Sequence, residues 1–170
     1  MGVFDINENS DSTTRKMFLD GPVDIQRYDR LKYKKIDQIT EKQLGFFWQP
    51  NEVDITKDSK DFKNLTEHER HIFESNIQRQ ILLDSVQGRS PSLTLLPLVS
   101  IPELESWLTI WTQNEGLHSR SYTHIIRNIY SAFVRSSVFY SSEHFSQYAS
   151  RLTFIQTSII TNYSTHIKIK

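Results

Sequence analysis

The chain has 170 residues, with 20 Lys and Arg balanced by 20 Asp and Glu, and no cysteine. Zero net charge gives no support to a nucleic-acid or anionic-membrane partner, since both call for a basic excess. The absence of thiols excludes disulfides and thiolate metal sites, so any metal must be held by carboxylate and imidazole.

The opening MGVFDINENSDS is polar and acidic, without the pattern of a signal peptide, and it lacks the Ser or Thr of an N-myristoylation pattern. No apolar run approaches the roughly 18 residues of a membrane span. A cytoplasmic protein with no membrane partner is expected. The glycines and prolines, five of each, fall mainly at plausible boundaries: Gly21-Pro22, Pro50, Gly88 to Pro97, and Pro102. The stretches between them read as helix, and no internal repeat is visible.

The first clear helix is predicted from about Thr66 to Gln87. Thr66 and Glu69 form a Thr-x-x-Glu capping box, and Ile72, Phe73, Ile77, Ile81 and Leu82 give an apolar face. Gly88 suits the stop, where a left-handed residue is needed. Asp84 lies on the same face as Ile77 and Ile81, where a charge is out of place.

A second helix is predicted from about Pro102 to Asn128. Ser100 and Glu103 read as a second capping box, and Pro102 sits in the first turn, where its missing N–H costs nothing. Leu104, Leu108, Trp111, Glu115, His118, Tyr122, Ile125 and Ile129 follow in alternating steps of four and three, so all point one way. The ends of this stripe are apolar and its middle is not.

A buried carboxylate without a partner costs several kcal/mol or more, and a cation removes that cost. Glu115 and His118, at i,i+3, put a carboxylate oxygen and an imidazole nitrogen on one helix face. This Glu-x-x-His spacing recurs in carboxylate-bridged di-iron bundles. Asp84 is a third candidate ligand, and oxygen and nitrogen donors without sulfur suit iron or manganese. Most isolated Glu-x-x-His pairs are solvated helix faces; the apolar stripe and the second misplaced carboxylate set this one apart. Glu67, His68, Glu69 and His71 also crowd donors together, but they sit in the first turn on no apolar stripe, where acids suit the helix dipole, and they read as surface. Tyr122, one turn past His118, reads either as a hydrogen-bonded core tyrosine or as a redox tyrosine beside a metal. Trp48, Trp107 and Trp111 read as core aromatics.

The segments EKQLGFFWQPNEVD, HIFESNIQRQILLDSVQGRSP, LLPLVSIPELESW and above all HSRSYTHIIRN resemble the small (beta) subunit of class Ia ribonucleotide reductase, of the enterobacterial and T-even-phage type. The resemblance covers about residues 17–130. It implies an all-α, ferritin-like di-iron helical bundle, here truncated to its N-terminal helices. It further implies a homodimer that works with the large (alpha) subunit as a ribonucleoside-diphosphate reductase, making deoxyribonucleotides for DNA. By position, Asp84, Glu115 and His118 would be iron ligands, with Glu115 bridging. Tyr122 would carry the radical, and Trp48 would supply an electron during cofactor assembly. Asn114 and Gly116-Leu117 depart from the Ser-Glu-Thr-Ile often found around the family's metal Glu. They remove no ligand.

Residues 131–170 differ in composition. They hold one acid, Glu143, no Gly or Pro, and many Ser and Thr, without helix caps or a clear period. No second Glu-x-x-His follows residue 130. The chain is therefore expected to divide into residues 1–130, the N-terminal part of a ferritin-like small-subunit domain, and residues 131–170, a divergent tail such as intron read-through or a frameshift would produce. Two functional readings stay open. One is the radical-generating subunit itself. The other is a truncated or split non-catalytic fragment that needs a second chain. A stand-alone iron-oxidising ferritin relative fits the Glu-x-x-His but not HSRSYTHI.

Overall fold

The structure, a computed structural model, describes residues 11–130, so the expected tail at 131–170 lies outside the described residues. Four α-helices follow in order: α1 (Lys34–Leu44), α2 (Asp58–Asn64), α3 (Glu67–Gln87) and α4 (Pro102–Ile129). A 3-10 turn at Pro50–Glu52 precedes α2, and a π turn (Pro91–Leu95) and a second 3-10 turn (Leu96–Leu98) connect α3 to α4. Among the described residues extended pairing is limited to one isolated bridge, Phe18 with Val99. The all-α expectation holds. No described helix is long and apolar enough to cross a membrane.

The described residues divide into two compact units, residues 11–47 with 89–114, and residues 48–88 with 115–130. In the first, Val99, Ile101, Leu104 and Leu108 form a buried cluster, against which Met17, Val23, Ile36, Leu95, Leu96, Trp107 and Trp111 pack. The irregular segment before α1 is held by long-range hydrogen bonds. Leu19 N–H donates to the Leu98 carbonyl at 2.8 Å, and Ser100 N–H donates to the Met17 carbonyl at 3.0 Å. Arg15, only 6 % exposed, pairs with Asp24 at 3.0 Å. Gly21 takes φ of 92°, a left-handed backbone that glycine adopts without a Cβ penalty.

Ser100 and Glu103 correct an expectation. The Ser100 hydroxyl accepts from the Asp20 N–H at 2.8 Å, and the Glu103 carboxylate accepts from the Tyr33 N–H at 2.8 Å. No reciprocal bond between the two is among the described hydrogen bonds. Both side chains are buried, and they satisfy backbone donors of the distant segment instead of capping α4 as a pair.

In the second unit the core is Ile77, Ile126, Ile129 and Tyr130, with Phe62, Phe73, Ile81, Tyr122 and Ile125 against it. The Phe62 ring meets Tyr130 edge-on at 5.0 Å and Phe73 at 5.4 Å. Ile72, expected on the apolar face of α3, is 47 % exposed. At about 100° per residue it points roughly 140° away from Ile77, whereas Phe73 lies within about 40°.

The capping box of α3 forms as expected. Glu69 N–H donates to the Thr66 hydroxyl oxygen at 3.3 Å, and the Thr66 N–H and hydroxyl each donate to the Glu69 carboxylate at 2.8 Å. At the other end, Gly88 has φ of −60° and ψ of −19°, so the expected left-handed stop is not what selects glycine there.

The Thr66 N–H, and after it the Thr66 hydroxyl, hold the Glu69 carboxyl below the ordinary glutamate range. A depressed carboxylate contributes stability above its unfolded pKa and loses it as pH falls through the folded value. Thr66→Ala should therefore lower stability by about 1 kcal/mol near neutral pH. Glu69→Gln should flatten the acid limb of a pH-stability curve. Chemical denaturation at stepped pH reads both, and an unchanged acid limb in Glu69→Gln would rule out the ionised cap.

Candidate metal centre

α3 and α4 carry the polar residues that interrupt their apolar faces. From α3 comes Asp84; from α4 come Glu115, His118 and, one turn on, Tyr122. Asp84, Glu115 and His118 each offer a donor atom, and the three atoms lie within 4.8 Å of one another. His118 Nδ1 stands 3.4 Å from Glu115 Oε2 and 3.8 Å from Asp84 Oδ2. The carboxyl side chains are mostly buried, 13 % exposed for Asp84 and 19 % for Glu115, while the His118 side chain is 45 % exposed.

The Asp84 Oδ2 atom is buried and accepts no hydrogen bond. Burial raises the Asp84 pKa. The Tyr122 hydroxyl, hydrogen-bonded to Asp84, opposes that rise, Glu115 adds to it, and His118 opposes it. The Tyr122 phenol is pushed up to about 12, first by burial and then by its hydrogen bond to Asp84. A tyrosine in this setting stays protonated across the physiological range.

The donor set fits a hard or borderline divalent cation. Two carboxylates and one imidazole, with one buried carboxylate oxygen lacking a hydrogen-bond donor, match iron or manganese better than copper(I) or a thiolate-seeking ion. A cation here would neutralise two like charges that otherwise face each other in partly dry surroundings.

The sequence-predicted residues do not all meet. Asp84, Glu115, His118 and Tyr122 come together. Trp48 is half-buried in the segment ahead of the first 3-10 turn, and no described hydrogen bond or ring contact joins it to them. Trp107 and Trp111, with ring centroids 5.3 Å apart, pack in the first unit's core. Glu67, His68, Glu69 and His71 are all exposed, as a surface first turn should be. The sequence reading passed over His124, whose Nε2 is buried without a hydrogen-bond partner. It lies only two residues past Tyr122, but off the stripe of fours and threes, so periodicity gave no signal for it.

Comparison with known proteins identifies the family of the chain. The chain is 58 % identical over 113 residues to a ribonucleoside-diphosphate reductase subunit beta of Buchnera aphidicola, covering 66 % of this chain and 30 % of the relative. It is 56 % identical over 126 residues to the subunit of that name from Haemophilus influenzae, covering 74 % of this chain and 33 % of the relative. The chain thus spans about a third of the length of these curated relatives. Its fold matches the ribonucleotide reductase R2 subunit from Clostridium botulinum with a TM-score of 0.80 at 24 % identity, over 96 % of this chain and 51 % of that one. That likeness carries the ferritin-like helical fold expected from the sequence. A family profile described as ribonucleotide reductase, small chain, matches residues 26–168, a stretch that extends past residue 130. With the profile covering most of its length, the chain belongs to the ribonucleotide reductase small chain family.

Proposed function

We propose that this chain is an N-terminal portion of the radical-generating subunit of a ribonucleoside-diphosphate reductase, and that it supplies one half of a di-iron site. In this reading it works as a homodimer with the large subunit to convert ribonucleotides to deoxyribonucleotides. The observation that carries it is the convergence of the Asp84, Glu115 and His118 donor atoms from α3 and α4 to within 4.8 Å of one another. Manganese is the alternative metal. When bound and oxidised by dioxygen, the terminal electron acceptor, such a metal pair would supply the oxidising power that takes one electron from a nearby phenol; the protein orients the phenol and shields it.

Tyr122 is that phenol. Because it is held protonated, its one-electron oxidation to a neutral radical releases a proton, and the Asp84 carboxylate that interacts with its hydroxyl can accept it. Tyr122 packs against the buried cluster of Ile77, Ile126, Ile129 and Tyr130, which limits access of quenchers to the ring. Trp48 is assigned the supply of an electron during assembly, on the family resemblance of the segment EKQLGFFWQPNEVD. Residues 1–130 are the N-terminal part of the small-subunit domain.

Such centres use about six protein ligands, a carboxylate from each of two helices and a Glu-x-x-His from each of two others. Three are found among the described residues, and in this reading the remainder come from another segment or chain. The second reading is then a truncated or split non-catalytic fragment that needs a second chain.

Titration with Co(II), followed by visible absorption, should show one weak site. Asp84→Asn, Glu115→Gln and His118→Ala should each weaken it at least as much as the 10- to 100-fold typical of a lost outer-shell contact. His68→Ala should leave it unchanged; equal loss in His68→Ala would move the site to the α3 first turn. Asp84→Asn should also stabilise the metal-free chain by about 1 kcal/mol, because a buried, under-bonded charge is removed. Loss of stability in Asp84→Asn would mean that Asp84 is a structural residue.

Exposed to Fe(II) and oxygen, the chain alone should give no tyrosyl radical signal in electron paramagnetic resonance. Mixing with a polypeptide that carries a second Glu-x-x-His from the same family should give one, and Tyr122→Phe should abolish it. A radical in the unmixed chain would contradict the half-site.

A further inference from the structure

We infer that Gly88 is a positioning residue for the metal ligands: its missing side chain sets how closely the Glu115 backbone of α4 approaches the end of α3, one turn beyond Asp84. The inference rests on the reading of Asp84, Glu115 and His118 as ligands. Gly88 is buried, and its N–H donates to the Asp84 carbonyl at 3.0 Å. Its backbone is right-handed, with φ of −60°, so a left-handed conformation does not explain glycine there. Space does. A Cβ built at Gly88 would lie 2.9 Å from the Glu115 Cβ and would also strike the Asp84 carbonyl oxygen.

The Glu115 Cβ cannot rotate out of the way, since it is fixed to the α4 backbone. Carbon atoms pack best at about 3.5–4.0 Å, so a methyl group at Gly88 must part the two backbones by roughly 0.6 Å or more. Glu115 and His118 ride together on α4, whereas Asp84 stays on α3. Metal–ligand distances tolerate about 0.2 Å. The separation therefore falls on the convergence of three donors that the site requires.

Gly116 provides the matched control within the same molecule. It neighbours Glu115 in sequence, is exposed, and a Cβ built there meets nothing within 4 Å. Gly88→Ala and Gly116→Ala thus make the same chemical change on the two sides of one ligand, one into a close contact and one into open space.

The test titrates Co(II) into the full chain and its two variants. Gly88→Ala should weaken binding on the order of 10- to 100-fold, the range for residues that orient ligands, with an altered visible spectrum for any ion still held. Gly116→Ala should match the parent in both. Parent-like binding in Gly88→Ala, or equal loss in Gly116→Ala, would overturn the inference. Thermal unfolding of Gly88→Ala, Glu115→Gly and the double variant forms a metal-free cycle. The destabilisation by Gly88→Ala should shrink when the Glu115 Cβ is absent, and strictly additive effects would overturn the contact. If the parent takes up no Co(II), the ligand reading fails, and the cycle alone still decides whether Gly88 sets the approach of Glu115.

Discussion

Two carboxylates turned toward each other on the inner faces of neighbouring helices set the terms for this protein. Asp84 and Glu115 occupy positions where α3 and α4 would otherwise carry Leu or Phe, and one Asp84 oxygen is buried with no donor to satisfy it. Folding gains nothing from that arrangement by itself, because desolvation and like-charge repulsion both oppose it. Its cost is offset by the apolar contacts to either side. In the second unit Ile77, Ile126 and Ile129 form a buried apolar cluster against which Tyr122 packs. Instability is concentrated where the chemistry is, and the rest of each helix is ordinary core.

Tyr122 depends on the same constraint. Its hydroxyl is tied to Asp84, so whatever changes the charge on Asp84 changes the proton affinity of the phenol. In the proposed centre, a metal on Asp84 would be linked to the Tyr122 phenol through that one carboxylate. The close helix approach permitted by Gly88 belongs to this geometry too: Asp84, the proposed ligand, and the glycine that spaces the helices lie about one turn apart at the end of α3.

The centre was legible in sequence because it is local and periodic. Glu115, His118 and Tyr122 break an apolar stripe at helical steps, Asp84 breaks another, and a Thr-x-x-Glu box announces the start of α3. What stayed hidden was set by distant contacts. Ser100 and Glu103 have the spacing of a capping box, yet they bond to Asp20 and Tyr33, which no local pattern reveals. Gly88 looks like a left-handed stop, but its role is visible only once Glu115 stands against it. Ile72 was misassigned because apolar content was read without its angle, and the turns at 91–98 have too short a period to register. The resemblance through HSRSYTHIIRN reached the family, but roles for Trp48 and Tyr122 came from that resemblance and not from spacing.

Anomalous scattering from crystals of the chain soaked in Mn(II) tests the central claim most directly. The account predicts one anomalous peak between Asp84, Glu115 and His118, at about 2.0–2.3 Å from their oxygen and nitrogen donors, as expected for hard and borderline divalent ions. No peak there, or a peak at the exposed Glu67, His68, Glu69 and His71 run instead, would contradict it.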